Sequence, residues 1–176
     1  GGAAPARDGS GAGALGPGVN PVWGPTLSAV QRHTSERWRG MRVWHAQIWT
    51  VDPVEGAASA RRLTRFQPRH GLISGPWVGW WTADGRTLVG GIGGEDYAAP
   101  ARIDATTGRI RYVRVDGERE YESVIGGVSA DGRTALMWRD VISGRGTFWT
   151  VPLAGGAATR YLRGATAVGV PVSWAP

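Results

Sequence analysis

At 176 residues with no cysteine, the chain is long enough for one ordinary core and is closed to disulfides, thiolate catalysis and Cys-type zinc sites. Its 29 Gly, 11 Pro and 41% hydrophobic content point to short elements parted by many turns, an all-β chain rather than a helical bundle. The net charge of +6 rests on 20 basic residues that are all Arg; the densest run, Arg61 to His70, has no recognition helix around it, so it reads as a solvated surface and no nucleic-acid partner is expected.

Residues 1–19 are Gly, Ala and Pro with almost nothing to anchor a fold, and they read as a disordered linker or tail. From residue 20 the pattern changes to short β-type runs. Pro21 to Trp23 and Leu27 to Gln31 come first, followed by a polar stretch to Arg39 and then Ala46 to Asp52, where Ile48 and Thr50 face one side and Trp49 and Val51 the other. The Gly56 segment turns this unit into Ala60 to Thr64. Leu27 to Trp38 also has a helical option, since Leu27, Val30 and Trp38 fall roughly on one face of a helix.

The next unit runs Trp77 to Thr82, a turn at Ala83-Asp84-Gly85-Arg86, Thr87 to Gly91, a polar loop, Ala98 to Ile103, a turn at Thr106 to Gly108, and Arg109 to Val115. Val124 to Leu162 repeats that order, with turns at Asp131-Gly132 and Gly155-Gly156. Asp84 recurs as Asp131, 47 positions on, and aligning Trp23, Trp81, Val128 and Trp174 gives spacings of 58, 47 and 46 residues. Asp-Gly favours such hairpins because Gly adopts positive φ without strain. The expected organisation is a linker over 1–19 and β-propeller blades over about 20–66, 67–115 and 116–163, with the first strand of another over 164–176. Pro176 cuts through the repeated motif, so a partial propeller is expected rather than an unusually small ring closed by the last strand, and Gly1, with neither Met nor a signal pattern, points to a removed leader or to a piece of a longer protein. Open strand edges would then be covered by further blades or by self-association.

Trp81-Thr82-Ala83-Asp84-Gly85-Arg86, Ile48-Trp49-Thr50-Val51-Asp52 with Arg62-Leu63-Thr64, and Phe148-Trp149-Thr150-Val151 with Gly155-Gly156 together resemble the TolB-like β-propeller repeat. That resemblance implies a non-catalytic, periplasmic or otherwise extracytoplasmic module that binds a protein or peptide, as TolB does in a bacterial cell-envelope complex. It implies as an alternative the substrate-gating propeller of a prolyl-oligopeptidase-like or tricorn-like serine peptidase whose catalytic domain is absent from this chain.

Hairpin logic places the first and third turns of each blade on one face and the middle loops and inter-blade connections on the other. Asp84, Gly85, Asp131, Gly132, Gly155 and Gly156 are therefore expected to be structural. The second face collects the candidate partner-binding residues: Arg37, Trp38 and Arg39 in the first middle loop, then Arg69 and His70, Glu95, Asp96 and Tyr97, Arg119, and Asp140 with Arg145. Both charge signs with interleaved aromatics suit a polypeptide partner.

Catalytic and metal readings are weak. Neither Gly127 to Asp131 nor Gly71 to Gly75 matches a Gly-x-Ser-x-Gly nucleophile elbow, and His33, His45 and His70 lack metal-ligand spacing. The run Gly90 to Glu95 lacks the Lys-Ser/Thr of a phosphate loop, and one carboxylate per Asp-Gly turn is too few for calcium. No cofactor, metal or catalytic residue is expected. No apolar run reaches the roughly 18 residues of a membrane-spanning helix.

Overall fold

A computed structural model describes residues 21–38, 40–67, 75–93, 98–116, 123–139 and 147–161. The described residues are all-β and form three antiparallel four-stranded sheets, each built from strands in sequence order. The first sheet holds β1 (Val22–Trp23), β2 (Ser28–Trp38), β3 (Met41–Val51) and β4 (Arg61–Arg62). The second holds β5 (Gly75–Trp81), β6 (Thr87–Gly93), β7 (Ala98–Asp104) and β8 (Ile110–Tyr112). The third holds β9 (Val124–Val128), β10 (Thr134–Arg139), β11 (Thr147–Pro152) and β12 (Thr159–Arg160). Four-stranded meanders that pack face to face in succession are propeller blades.

Apolar side chains alternate between the two faces of each blade and meet those of the neighbour. Between the first two blades, Ala29 and Ile48 pack with Val78, Leu88 and Ile103. Between the second and third, Val89, Val113 and Val115 pack with Ile125, Met137 and Val151. Each fully buried aliphatic chain here contributes about 1.5–3 kcal/mol, so the blade interfaces are the main source of stability. Trp81 joins the first interface, and its indole N–H donates to the Val22 carbonyl of the preceding blade at 3.0 Å. Trp77 and Trp80 border the second interface, edge to face with ring centroids 6.5 Å apart. The inner pairs β5–β6 and β9–β10 both carry a register shift, at Val78/Trp80 and at Leu136/Met137, so the bulge belongs to the repeat.

The first blade departs from the sequence reading. Arg32 to Trp38, expected as a polar stretch, is strand, and the helical option over Leu27 to Trp38 does not hold, because β2 and β3 pair residue for residue from Ser28↔Val51 to Trp38↔Met41. The backbone ladder satisfies the peptide groups, so this hairpin needs no apolar face along its outer half. Arg37 and Trp38 thus lie in β2 rather than in a loop, and Arg39 lies outside the described residues. The turn at Gly56 is a short 3-10 segment, Gly56–Ser59, held by Asp52, whose Oδ1 accepts from the Val54 N–H at 2.7 Å.

Candidate binding site

The Asp-Gly turns are built alike, atom for atom. In the second blade Thr82 Oγ1 donates to Asp84 Oδ1 at 2.7 Å, Arg86 N–H donates to the same oxygen at 3.0 Å, and Thr87 N–H donates to Thr82 Oγ1 at 3.1 Å. In the third, Ser129, Asp131, Arg133 and Thr134 make the same three bonds at 2.6, 3.0 and 3.0 Å. Gly85 and Gly132 sit at φ 67° and 69°, where an L side chain is strained. The Thr82 hydroxyl, then the Arg86 N–H, hold the Asp84 carboxyl below its ordinary range; the Ser129 hydroxyl and Arg133 N–H do so for Asp131. The carboxylates are thus committed to their own turns. Ala105 N–H donates to the Arg86 carbonyl at 2.9 Å and Leu153 N–H to the Arg133 carbonyl at 2.8 Å, tying each third turn to the first turn of its blade.

The candidate partner-binding residues Arg69, His70, Glu95, Asp96, Tyr97, Arg119, Asp140 and Arg145 all lie outside the described residues. What the described residues form instead is an open cleft of about 600 Å³ between the first and second blades. One wall is the segment leaving β4: Leu63, Arg65, Phe66 and Gln67. The other is the third turn of the second blade with β8: Thr107, Arg109, Ile110 and Tyr112, with Ala99 between the walls. A smaller recess of about 200 Å³, lined by Thr87, Arg102, Asp104, Arg109 and Arg111, lies on the opposite face of the second blade, since Arg102 and Arg111 alternate with Ala101, Ile103, Ile110 and Tyr112 along β7 and β8.

A buried side chain fixes the first wall. Gln47, fully buried on β3, accepts at Oε1 from Thr64 Oγ1 at 2.8 Å and from Phe66 N–H at 2.9 Å, and its Nε2 donates to the Phe66 carbonyl at 2.7 Å. Thr64 Oγ1 in turn accepts from Ile48 N–H at 2.9 Å. One carboxamide thus does for Phe66 what a neighbouring strand would do, satisfying both of its peptide groups. Further along, Gly108 turns at φ 70° beneath the Leu63 carbonyl, which a Cβ there would strike. The same contact recurs one blade on, where Gly156 N–H donates to the Arg114 carbonyl and Asp116 N–H to the Gly156 carbonyl.

The cleft combines an apolar floor with a cationic rim. Ala99 is buried and Leu63 and Ile110 are half-buried, while Arg65 and Arg109 are exposed and the Tyr112 ring is 50% exposed. The nearby carboxylate, Asp104, is engaged by its own turn: its Oδ1 accepts from Thr107 N–H at 2.7 Å and Thr106 N–H at 3.0 Å. Those donors, the Thr107 N–H first, favour its ionised form and hold its pKa below the ordinary carboxylate value. Sequence reasoning missed this site because Arg65 and Phe66 sat within the basic run and Arg109 to Tyr112 read as an ordinary strand; only the fold brings them together. His45, on β3, is buried, and His33, on β2, is exposed. Among the described residues no three His, Asp, Glu or Cys side chains are grouped as metal ligands would be, and no helix is long and apolar enough to cross a membrane.

No protein-family model matches the sequence, and no curated protein matches it. Solved structures do. TolB from Acinetobacter baumannii aligns at TM-score 0.49 and 13% identity, over 81% of this chain and 32% of that one. A protein described as TolB from Agrobacterium tumefaciens aligns at 0.52 and 19%, over 80% and 43%, and an oligogalacturonate lyase in complex with manganese at 0.43 and 11%, over 82% and 46%. The chain therefore spans less than half the length of each of these proteins. The likeness to the Agrobacterium protein shows the fold: the described residues form three blades of a β-propeller.

Proposed function

We propose that the chain is a non-catalytic propeller module that binds a protein or peptide partner in the bacterial cell envelope. The observation that carries this reading is the cleft between the first two blades, whose size and mixture of apolar floor, aromatic edge and guanidinium rim suit polypeptide side chains. The likeness in fold to proteins described as TolB supports the setting. From the sequence alone, Arg69, His70, Glu95, Asp96, Tyr97, Arg119, Asp140 and Arg145 are further candidates for contact with a partner.

Photo-crosslinking in cells tests the reading. A benzophenone side chain placed at Tyr112 reports on the cleft, one at Tyr97 on the loop face, and one at the Asp84 turn gives the background. Protein adducts above background from Tyr112 or Tyr97 are the expected result. Adducts from neither, with the propeller folded and exported, would refute a binding role.

A further inference from the structure

Building on the reading of the chain as a polypeptide-binding module, we infer that the cleft between the first and second blades selects an acidic peptide segment carrying an apolar residue between its carboxylates. Two observations converge, the charge of the rim and the apolar floor. The rim is cationic on both walls, with Arg65 on one and Arg109 on the other.

The floor separates a peptide from other polyanions. Leu63, Ala99 and Ile110 form an apolar base, and the Phe66 and Tyr112 rings flank it. A nucleic acid or an acidic polysaccharide offers charge but no aliphatic side chain for that base, whereas a peptide offers both. Guanidinium groups hold carboxylates in paired, charge-assisted hydrogen bonds, so two arginines on facing walls fix acidic residues on either side of an apolar anchor.

Fluorescence anisotropy with a labelled probe, acetyl-Glu-Asp-Leu-Phe-Asp-Glu-amide, tests this on the full 176-residue chain. Its isosteric Gln/Asn counterpart and an Ala-for-Leu-Phe version serve as controls. The acidic probe is expected to bind about tenfold or more tightly than either control, and more weakly as salt is raised. The double variant Arg65→Glu, Arg109→Glu should lose that binding, while Arg133→Glu, on a first turn, should keep it. Phe66→Leu, which leaves every charge in place, should weaken it several-fold; this variant keeps the test decisive if the double reversal fails to fold by circular dichroism. Equal competition by a heparin fragment or an oligothymidylate, or indifference to loss of Leu-Phe, would overturn the peptide assignment. Retained binding in the double variant, or none at about 1 mM probe, a free energy near −4 kcal/mol, would overturn the cleft assignment. In either case crosslinks from Tyr97 would leave the wider binding role standing.

Discussion

Replacing Gln47 with Leu removes a side chain of similar size and leaves three polar groups of the exit segment without their partner: the Thr64 hydroxyl, the Phe66 N–H and the Phe66 carbonyl. At about 1 kcal/mol net per hydrogen bond, and more where a buried group is left unsatisfied, the loss is about 3–5 kcal/mol. Burial of the Leu chain offsets about 1–2 kcal/mol. The net destabilisation, about 1–4 kcal/mol, is a substantial fraction of the 5–15 kcal/mol typical of a domain. Urea unfolding should show the midpoint moving down at unchanged slope, and hydrogen exchange should show the amides of Phe66 and Ile48 losing protection before the blade cores do. Gln47→Glu sharpens the test. Burial raises the pKa of the new carboxyl, so its destabilisation relative to wild type at the same pH should be greatest near neutrality and shrink on acidification, as the protonated acid regains a donor for the Phe66 carbonyl. A midpoint shift worth less than about 0.5 kcal/mol in the Leu variant would refute the account of Gln47 as the fastener of this wall.

Gly108→Ala should cost about 2 kcal/mol or more, because it adds a collision with the Leu63 carbonyl to the strain at φ 70°; Gly56→Ala, at φ 67° with nothing within 4 Å, should cost only about 1 kcal/mol by the same denaturation assay. Asp84, Asp104 and Asp131 are depressed below the ordinary carboxylate value of 3.8, so their contribution is complete above that value and is lost as pH falls through the lower native values; urea midpoints should therefore drop below about pH 4, and the triple Asn variant should drop less. Arg32 and Arg139 lie 4.7 and 5.0 Å from the Trp49 and Trp149 ring centres, and Arg32→Gln should cost about 0.5–1 kcal/mol with a change in tryptophan emission; an unchanged spectrum would count against that stacking.

The parts of the fold legible in the sequence are those whose chemistry is local. Thr82, Asp84, Gly85 and Arg86 bond to one another within six residues, so their copies at Ser129 to Thr134 read as the same turn before any pairing is known. The outer half of the β2–β3 hairpin was not legible. Gln31, Arg32, Thr34 and Ser35 give no apolar alternation, and the burial in this part of the hairpin lies on the partner strand, at His45, Ala46 and Gln47. Gln47 escaped notice for a related reason: its partner Phe66 is 19 positions away and offers only peptide groups, which leave no trace in composition. The cleft is less legible still, since Arg65 and Arg109 become neighbours only when two blades pack. In the opposite sense, Ile48 and Trp49 were readable as facing opposite sides, and each enters a different apolar cluster.

The hook of each exit segment onto the third turn of the following blade gives the assembly a direction in time. Leu63 meets Gly108, and Arg114 meets Gly155 and Gly156, always forward along the chain. During synthesis, Gln47 can fasten the wall bearing Arg65 and Phe66 to its own blade at once, but the contact of that wall with the next blade waits until the turn 45 residues downstream of Leu63 has left the ribosome. A break downstream should therefore loosen the exit segment upstream of it, and the cleft, which needs both walls, should be among the last features of the first two blades to become competent.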